Sequence, residues 1–565
     1  MPTLNWIGKE KVQTHHLDVP YRVMEHGYGF TAEGNEQFDP VESGNKIIYG
    51  DNLEALKSLL PFYEGKVDCI YIDPPYNTGE EGWVYNDNVN HPKIKKWLGQ
   101  VVGKQSEDLS RHDKWLCMMY PRLQLLKQLL SDTGVIFISI DDNEQANLKL
   151  ICDEIFGLKA FITTIHCQMS TTQGMKVKSA QNGNIVKNAE YILCYSKDGH
   201  KNIAKNPLYD LRPEYDEHYS LYLNEDGTIG QLKDIYDYRF PKDLNNKKAI
   251  TLKEAFLKSN EFAEVVKSNL SNIVADDKVT GFDNEYINLE NGKWIEVERN
   301  GKNYVLTMNG NGNIRQLLRL KNSWGKTDNF NQDVGLRKIR GDWWEGFYID
   351  MGNVSKEADT VFANGKKPVR LISQLLNMSS NRDSIILDSF AGSGTTAHAV
   401  LNLNKKDGGN RKFILIEFED YANTITAERV KRVIKGYGNG KNAIAGTGGD
   451  FNFYTLGQSL LDHERNLNIE MPMDAVCSYI WYTETHTAYE KGEQSLPLLG
   501  VYQDRAYYLN YIPNEVTTLD RQFLKNIDVK ANQYVIYADN CLLPKELMQK
   551  YNIIFKKIPR DISQF

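Results

Sequence analysis

Asp73, Pro74, Pro75 and Tyr76 stand in a row at the end of a short apolar run, Val67 to Ile72. A run of that length closed by prolines predicts a buried strand that stops abruptly. Proline fixes its own φ and turns the residue before it away from helix, so Asp73 and Pro74 must be extended. A carboxylate, two rigid residues and an aromatic ring are thereby held at the carboxyl end of a strand, where open α/β sheets bind ligands. The carboxylate offers hydrogen-bond acceptors and the ring offers a stacking face. Taken alone, the four residues also suit an ordinary strand-ending turn.

A second set lies 300 residues on. The run Ser384 to Asp388 predicts a strand, a helix is expected from about Thr395 to Leu403, and Phe390-Ala391-Gly392-Ser393-Gly394-Thr395 turns between them. Glycines in such a turn let backbone amides approach a ligand closely. Glu417 ends the next predicted strand, 23 residues after Gly394, where dinucleotide enzymes carry the acid that binds ribose. The loop alone is compatible with nicotinamide, flavin or S-adenosylmethionine, or with a plain strand–helix turn. Together with Asp73–Tyr76 it points to S-adenosylmethionine.

A third set is basic. Arg315, Arg319, Lys321, Lys326, Arg337, Lys338 and Arg340 are interleaved with Trp324, Phe330, Trp343 and Trp344. Lysines and arginines neutralise phosphates, and arginine reads guanine edges with two hydrogen bonds, so the cluster is expected to contact DNA. For any single member a solvated basic surface is the competing reading. The formal net charge of -7 does not suggest nucleic acid, but a cleft needs only local basic surface. Seven cysteines are scattered with no Cys-x-x-Cys pair, which argues against a disulfide framework or zinc site and for a reducing cytoplasm. No metal is expected. No secretory signal, apolar run of membrane-spanning length or nucleotide-hydrolysing Gly-x-x-x-x-Gly-Lys-(Ser/Thr) loop is evident.

The elements that must position these residues follow a parallel-sheet grammar. The 565 residues allow two to four domains. Residues 1–45 read as an N-terminal arm. Over 46–200 come a strand ending at Gly50-Asp51, a helix capped by Asn52, the strand before Asp73, a polar stretch of mobile-loop character at 80–112, a helix over Trp115–Leu130, and a strand at Val135–Ile140. Asp141-Asp142-Asn143-Glu144 then caps a helix to about Phe156, and a strand pair fills 160–200. Periodicity weakens over 201–345, which reads as an inserted domain. It returns over 346–435, with a helix at Val369–Leu376, the glycine-loop unit, and a helix at Tyr421–Ile434. Residues 436–450 read as a linker and 451–565 as a smaller α/β module with strands at Ala506–Tyr511 and Tyr534–Tyr537. The expected architecture is a doubly wound, mostly parallel Rossmann-like sheet with an insertion.

The pattern (Asp/Asn/Ser)-Pro-Pro-(Tyr/Phe/Trp) resembles the active-site signature of DNA amino-methyltransferases. The order Gly-Asp, Asp-Pro-Pro-Tyr, divergent domain, Phe-x-Gly-x-Gly, ribose acid resembles their β class. Ile47–Leu56, Tyr71–Gly79 and Ile138–Glu144 resemble the modification (Mod) subunit of type III restriction–modification systems, and Ile558-Pro559-Arg560-Asp561-Ile562 does so more loosely. The resemblance implies a site-specific adenine-N6 methyltransferase that flips its target base and uses S-adenosylmethionine. It implies double-stranded DNA as partner, a homodimer, a separate restriction (helicase–nuclease) subunit, and a target recognition domain over 201–345. Residue by residue it implies that Asp73, Pro74, Pro75 and Tyr76 are catalytic and that Asp51 touches the cofactor's adenine. Phe390, Gly392, Gly394 and Thr395 would wrap its methionine part near Asp388. Lys367 and Pro368 complete that pocket, and Glu417 binds the ribose. Competing readings are a solitary or type II enzyme acting on adenine N6 or cytosine N4, a non-catalytic DNA-binding subunit, and a methyltransferase for RNA or protein amides.

Overall fold

The computed structural model describes residues 3–562 apart from 79–91, 103–109, 198, 200–202, 246, 283–288, 363–364, 463–465, 491–495 and 560. Most of the polar stretch at 80–112, together with Gly79 and Arg560, lies outside the described residues; within that stretch Pro92–Val101 is a helix. The chain forms two units, residues 1–206 with 342–565 and residues 207–341.

The first unit is built on an eleven-stranded sheet. In chain order its strands are β1 (Arg22–Phe30), β2 (Glu36–Gln37), β3 (Lys46–Tyr49), β4 (Val67–Ile72), β5 (Leu130–Ile140), β6 (Phe161–Gln168), β7 (Ala189–Ser196), β8 (Trp343–Trp344), β9 (Ile385–Asp388), β10 (Lys412–Glu417) and β11 (Phe451–Ser459). Across the sheet they run β8-β6-β7-β5-β4-β9-β10-β3-β11-β1-β2. The central block from β5 to β11 is parallel throughout. Strands covered on both faces must be apolar along their whole length, and Cys69, Ile70, Tyr71, Ile72, Ile386, Leu387 and Phe413–Ile416 are all buried.

Helix α1 (Asn52–Tyr63) joins β3 to β4, α2 (Arg111–Leu129) joins β4 to β5, and α3 (Gln145–Phe156) follows β5. Helix α4 (Val369–Ser379) leads into β9, α5 (Thr395–Asp407) joins β9 to β10, and α6 (Glu428–Lys435) follows β10. The first three pack together, and so do the last three. Right-handed crossovers require this, because β3, β4 and β5 progress across the sheet in one direction and β9 to β10 in the other. Strands β4 and β9 are therefore neighbours whose onward connections diverge. Their carboxyl ends form a topological switch point, where a ligand crevice opens. Asp73 and Asp388 stand at those two ends.

Several details differ from the sequence reading. The cap of α1 is Asp51, not Asn52: Asp51 Oδ1 accepts from Leu53 N at 2.8 Å and Glu54 N at 3.4 Å. Asn52 already lies in the helix and its amide turns inward, bonding Ser389 O and Arg122 Nε. Helix α2 begins earlier than Trp115, at a Ser110–Asp113 capping box. The helix expected over 421–434 opens with a 3₁₀ turn and a π turn over Asp420–Ala427 before α6. Residues 22–30, expected in an arm, and 451–459, expected in the C-terminal module, are β1 and β11 of the main sheet. They pair antiparallel, with the Tyr28 and Phe453 rings stacked 5.1 Å apart. The intervening 436–450 holds a short ribbon, Gly436–Tyr437 with Ile444–Ala445.

Beyond β11 come helix α7 (Met473–Thr485) and a four-stranded sheet, Leu498–Tyr502, Arg505–Leu509, Gln533–Ala538 and Ile553–Lys557, the last three parallel. The second unit carries an antiparallel six-stranded sheet and a three-stranded one. Its own core gathers Tyr215, Leu232, Leu252, Phe262, Val266 and Ile273. No helix among the described residues is long and apolar enough to cross a membrane.

Candidate active site

Asp73 leaves β4 into a site that is closed on several sides. Its carboxylate is 11% exposed, and Oδ1 lies 3.4 Å from Lys367 Nζ with no hydrogen-bond partner among the described residues. Burial raises its pKa above the ordinary carboxylate range, and the Lys367 ammonium works against that rise. Pro75 is fixed by Trp115, whose Nε1 donates to the Pro75 carbonyl at 2.6 Å. Tyr76 is buried; its hydroxyl donates to Glu190 Oε2 at 3.0 Å and accepts from Lys367 Nζ at 2.6 Å. The same ammonium sits 4.6 Å from the centre of the Tyr76 ring and 3.0 Å from Glu190 Oε2.

Lys367 precedes Pro368, the residue before α4. Burial alone would discharge it, but the carboxylates of Asp73 and Glu190 overcome that and raise its pKa, so it stays an ammonium. For Glu190, burial works upward, and Lys367 and Tyr76 bring it below the ordinary range. The turn after Tyr76 is held too. Asn77 adopts a left-handed φ of 59°, and its amide donates to Arg111 O at 3.2 Å and to fully buried Glu144. His112 Nδ1 lies 2.6 Å from the same Glu144 oxygen.

On the neighbouring strand, Asp388 Oδ1 accepts from Phe390 N at 3.0 Å and Oδ2 from Thr396 Oγ1 at 2.5 Å. Burial nonetheless pushes its carboxyl up to about 7. The loop turns through Gly392 (φ 54°) and Gly394 (φ 83°), a region that side chains disfavour. A Cβ on Gly394 would stand 3.1 Å from Thr426 O. Gly392 N donates to Glu417 Oε2 at 2.7 Å, and Glu417 Oε1 accepts from Phe418 N and Glu419 N. Glu417 is raised to about 8 by burial. Thr395 Oγ1 and Ser393 Oγ each accept from the buried Arg429 at 2.7 Å, which braces the loop from α6. A cavity of about 290 Å³ opens beside Gly50, Asp51 and Phe418, at the carboxyl ends of β3 and β10.

Residues 67–428 match the family model described as DNA methylase. The chain belongs to this family. Among curated relatives it is similar to the Type III restriction-modification enzyme EcoPI Mod subunit of Escherichia phage P1, 30% identical over 77% of this chain and 68% of that one. It is 33% identical to the StyLTI Mod subunit of Salmonella typhimurium over 73% of this chain and 57% of that one. It is 29% identical to the Type II methyltransferase M.KpnI of Klebsiella pneumoniae, over 69% of this chain and 84% of that one.

In this DNA methylase, Asp73, Pro74, Pro75, Tyr76 and Lys367 come together at one strand end. Asp388, Phe390, Gly392, Gly394, Thr395 and Glu417 come together at the neighbouring strands. Lys367, assigned by resemblance to the cofactor pocket, makes its contacts with Tyr76, Glu190 and Asp73. The basic set lies in the second unit and is largely committed there. Arg315 pairs with Asp276 at 2.7 Å, Arg319 with Glu296, and buried Arg340 with Asp210 at 2.7 Å, while Arg337 covers the Tyr209 ring at 4.0 Å. Lys321, Lys326 and Lys338 are exposed. Sequence reasoning missed Glu190, Trp115 and Arg429, which carry no spacing signal. Glu144 did carry one, in the run Ile138–Glu144.

Proposed function

We propose that this DNA methylase transfers the methyl group of S-adenosylmethionine to the N6 amino group of an adenine flipped out of double-stranded DNA, as the modification subunit of a type III restriction–modification system. The observation that carries the reading is Asp73 Oδ1, a buried acceptor without a hydrogen-bond partner among the described residues, at the switch point beside the glycine loop. The Lys367 ammonium at 3.4 Å offsets its charge and leaves it able to accept a further hydrogen bond. An exocyclic amine brings N–H donors.

That amine is a poor nucleophile because its lone pair is delocalised into the ring. Asp73 Oδ1 and the Pro74 carbonyl, held rigid by Pro75, accept its two N–H groups and favour a tetrahedral nitrogen. Bound S-adenosylmethionine would supply the methyl group as an electrophile on a sulfonium, with sulfur keeping the C–S electron pair when the nitrogen lone pair makes the new bond. A proton then leaves nitrogen toward Asp73 or water. Tyr76 stacks on the flipped base and helps offset the few kcal/mol of unstacking. On the cofactor side, Asp388 faces the amino group, while Phe390, Gly392, Gly394 and Thr395 line the methionine part. Glu417 binds the ribose, Asp51 holds the adenine in the cavity beside Phe418, and Lys367-Pro368 closes the pocket. The aspartate before the two prolines favours adenine over cytosine.

In this reading residues 207–341 recognise the target, with Lys321, Lys326 and Lys338 at phosphates. The module after β11 serves homodimerisation or docking of a restriction subunit, and the protein works in the cytoplasm. A monomeric mass in solution would count against the homodimer. A second reading, a type II methyltransferase for adenine N6 or cytosine N4, is favoured by coverage: the match spans 84% of M.KpnI but 68% and 57% of the two Mod subunits. The test is methyl transfer from labelled cofactor to unmethylated plasmid DNA, followed by base-resolved mapping. N6-methyladenine in one short asymmetric sequence is expected, with Asp73→Ala losing at least about a hundredfold in rate. A palindromic site would favour the type II reading. Cofactor binding with no transfer to any DNA would overturn both.

A further inference from the structure

Glu190 is the second residue of β7, and it binds two members of the Asp73 cluster at once. Its Oε2 accepts from Tyr76 OH at 3.0 Å and lies 3.0 Å from Lys367 Nζ, whereas Asp73 Oδ1 stands 3.4 Å from that ammonium. Lys367 Nζ thus stands closer to the Tyr76 hydroxyl and to Glu190 Oε2 than to Asp73 Oδ1, with which it forms the longer ion pair. Two carboxylates share one ammonium, so the ionised cluster carries one net negative charge. A further cation that acts on Glu190, Lys187, is held by Asp141 and Asp142 at 3.0 Å each. Without Glu190, the ammonium would have Asp73 as its one carboxylate partner. It would then occupy the oxygen that must accept a substrate N–H, and the cluster would become neutral just where nitrogen gains positive charge. At low local dielectric both effects are large.

We propose that Glu190 is a positioning residue for methyl transfer, drawing Lys367 off Asp73 so that Oδ1 stays open to the target amine and the pocket keeps a net negative charge. The inference rests on the methyltransferase reading above and adds to it a reason for the acid on β7. The Tyr76 hydroxyl, pinned between Glu190 and Lys367, fixes the ring that stacks on the base.

The test compares the wild-type protein with Glu190→Gln, Glu190→Asp and the double variant Glu190→Gln/Lys367→Met, using the plasmid assay across pH. It also measures affinity for S-adenosylhomocysteine by calorimetry and folding by thermal melts. Glu190→Gln is expected to lower the plateau kcat roughly ten- to a hundredfold, with S-adenosylhomocysteine affinity within about threefold of wild type. Its acid limb should move to lower pH, because the like charge beside Asp73 is gone while the ammonium remains. Glu190→Asp keeps the charge and should retain most of the rate. The double variant restores one negative charge with an open Asp73, and should exceed Glu190→Gln severalfold. Equal loss in the Gln and Asp variants, an unmoved acid limb, or a double variant that binds S-adenosylhomocysteine as wild type does yet is no faster than Glu190→Gln would overturn the proposal. Should Glu190→Gln fail to fold, Glu190→Asp decides, and a loss as deep as that of Asp73→Ala overturns the idea. A wild-type protein without transfer would instead sink the methyltransferase reading.

Discussion

Asp388 and Glu417 are two acids on the cofactor side whose chemistry departs strongly from ordinary carboxylate behaviour. Burial takes them from 3.8 and 4.5 to about 7 and about 8. Between those values the folded protein holds protons that the unfolded chain has released, so these two groups make stability fall as pH rises from about 4 to about 8. The Tm of cofactor-free protein should therefore gain on going from pH 8 to pH 6, and Glu417→Gln should flatten that slope. A slope unchanged by the substitution would show that Glu417 titrates normally. The placement of Asp73 and Tyr76 at a strand end and of Gly392 and Gly394 in a strand–helix turn was legible in the sequence, because proline restricts the backbone locally and glycine permits a left-handed turn. Glu190 was not legible. A single acid in an apolar strand has no pattern, and its meaning comes from Lys367, 177 residues away in sequence.

At the scale of elements, the glycine loop and the turns packed behind it act as one piece. Gly394 is left-handed, and its missing Cβ leaves room for Thr426 O, while Thr426 Oγ1 donates to Gly392 O at 2.6 Å. Gly394→Ala should cost about 1–2 kcal/mol from the left-handed backbone alone, more if Thr426 cannot shift. In calorimetry it should weaken S-adenosylmethionine binding about tenfold or more. Wild-type affinity in the variant would mean the loop relaxes freely and does not cradle the ligand. The central strands β3, β4, β5, β9 and β10 and the helices between them were readable from apolar runs and 3.6-residue spacing, whereas the outer strands β1, β2, β8 and β11 were not. The π turn at Asn423–Ala427 was not, because its apolar positions read as ordinary helix and only packing against the loop makes the extra residue worthwhile.

At the scale of the whole molecule, the methyltransferase sheet is assembled from segments far apart in the chain, with residues 207–341 forming a unit that has its own core. The ion pairs of Arg315, Arg319 and Arg340 mark them as parts of that unit's framework. Replacing Lys321, Lys326 and Lys338 by alanine should reduce the slope of log affinity for DNA against log salt by about 0.9 for each lysine at a phosphate. Arg340→Ala should instead lower Tm. An unchanged salt slope in the triple variant would place the phosphate contacts elsewhere.

Local chemistry was written in the chain itself: the strand closed by Pro74 and Pro75, the glycine turn after Asp388, the acid after β10, and a parallel-sheet grammar on either side of an insertion. Each depends on backbone restriction or periodicity within a dozen residues, which sequence expresses directly. What only the tertiary structure decided was adjacency. It laid β4 against β9 so that Asp73 and Asp388 stand at adjacent strand ends, returned Phe451–Ser459 to the sheet beside β3, and brought Lys367 and Glu190 to Tyr76. It also matched the arginines of the second unit with Asp276, Glu296 and Asp210, partners 39, 23 and 130 residues away. Pairings at that separation follow from strand order and burial of charge, and neither is encoded in the spacing of the residues concerned.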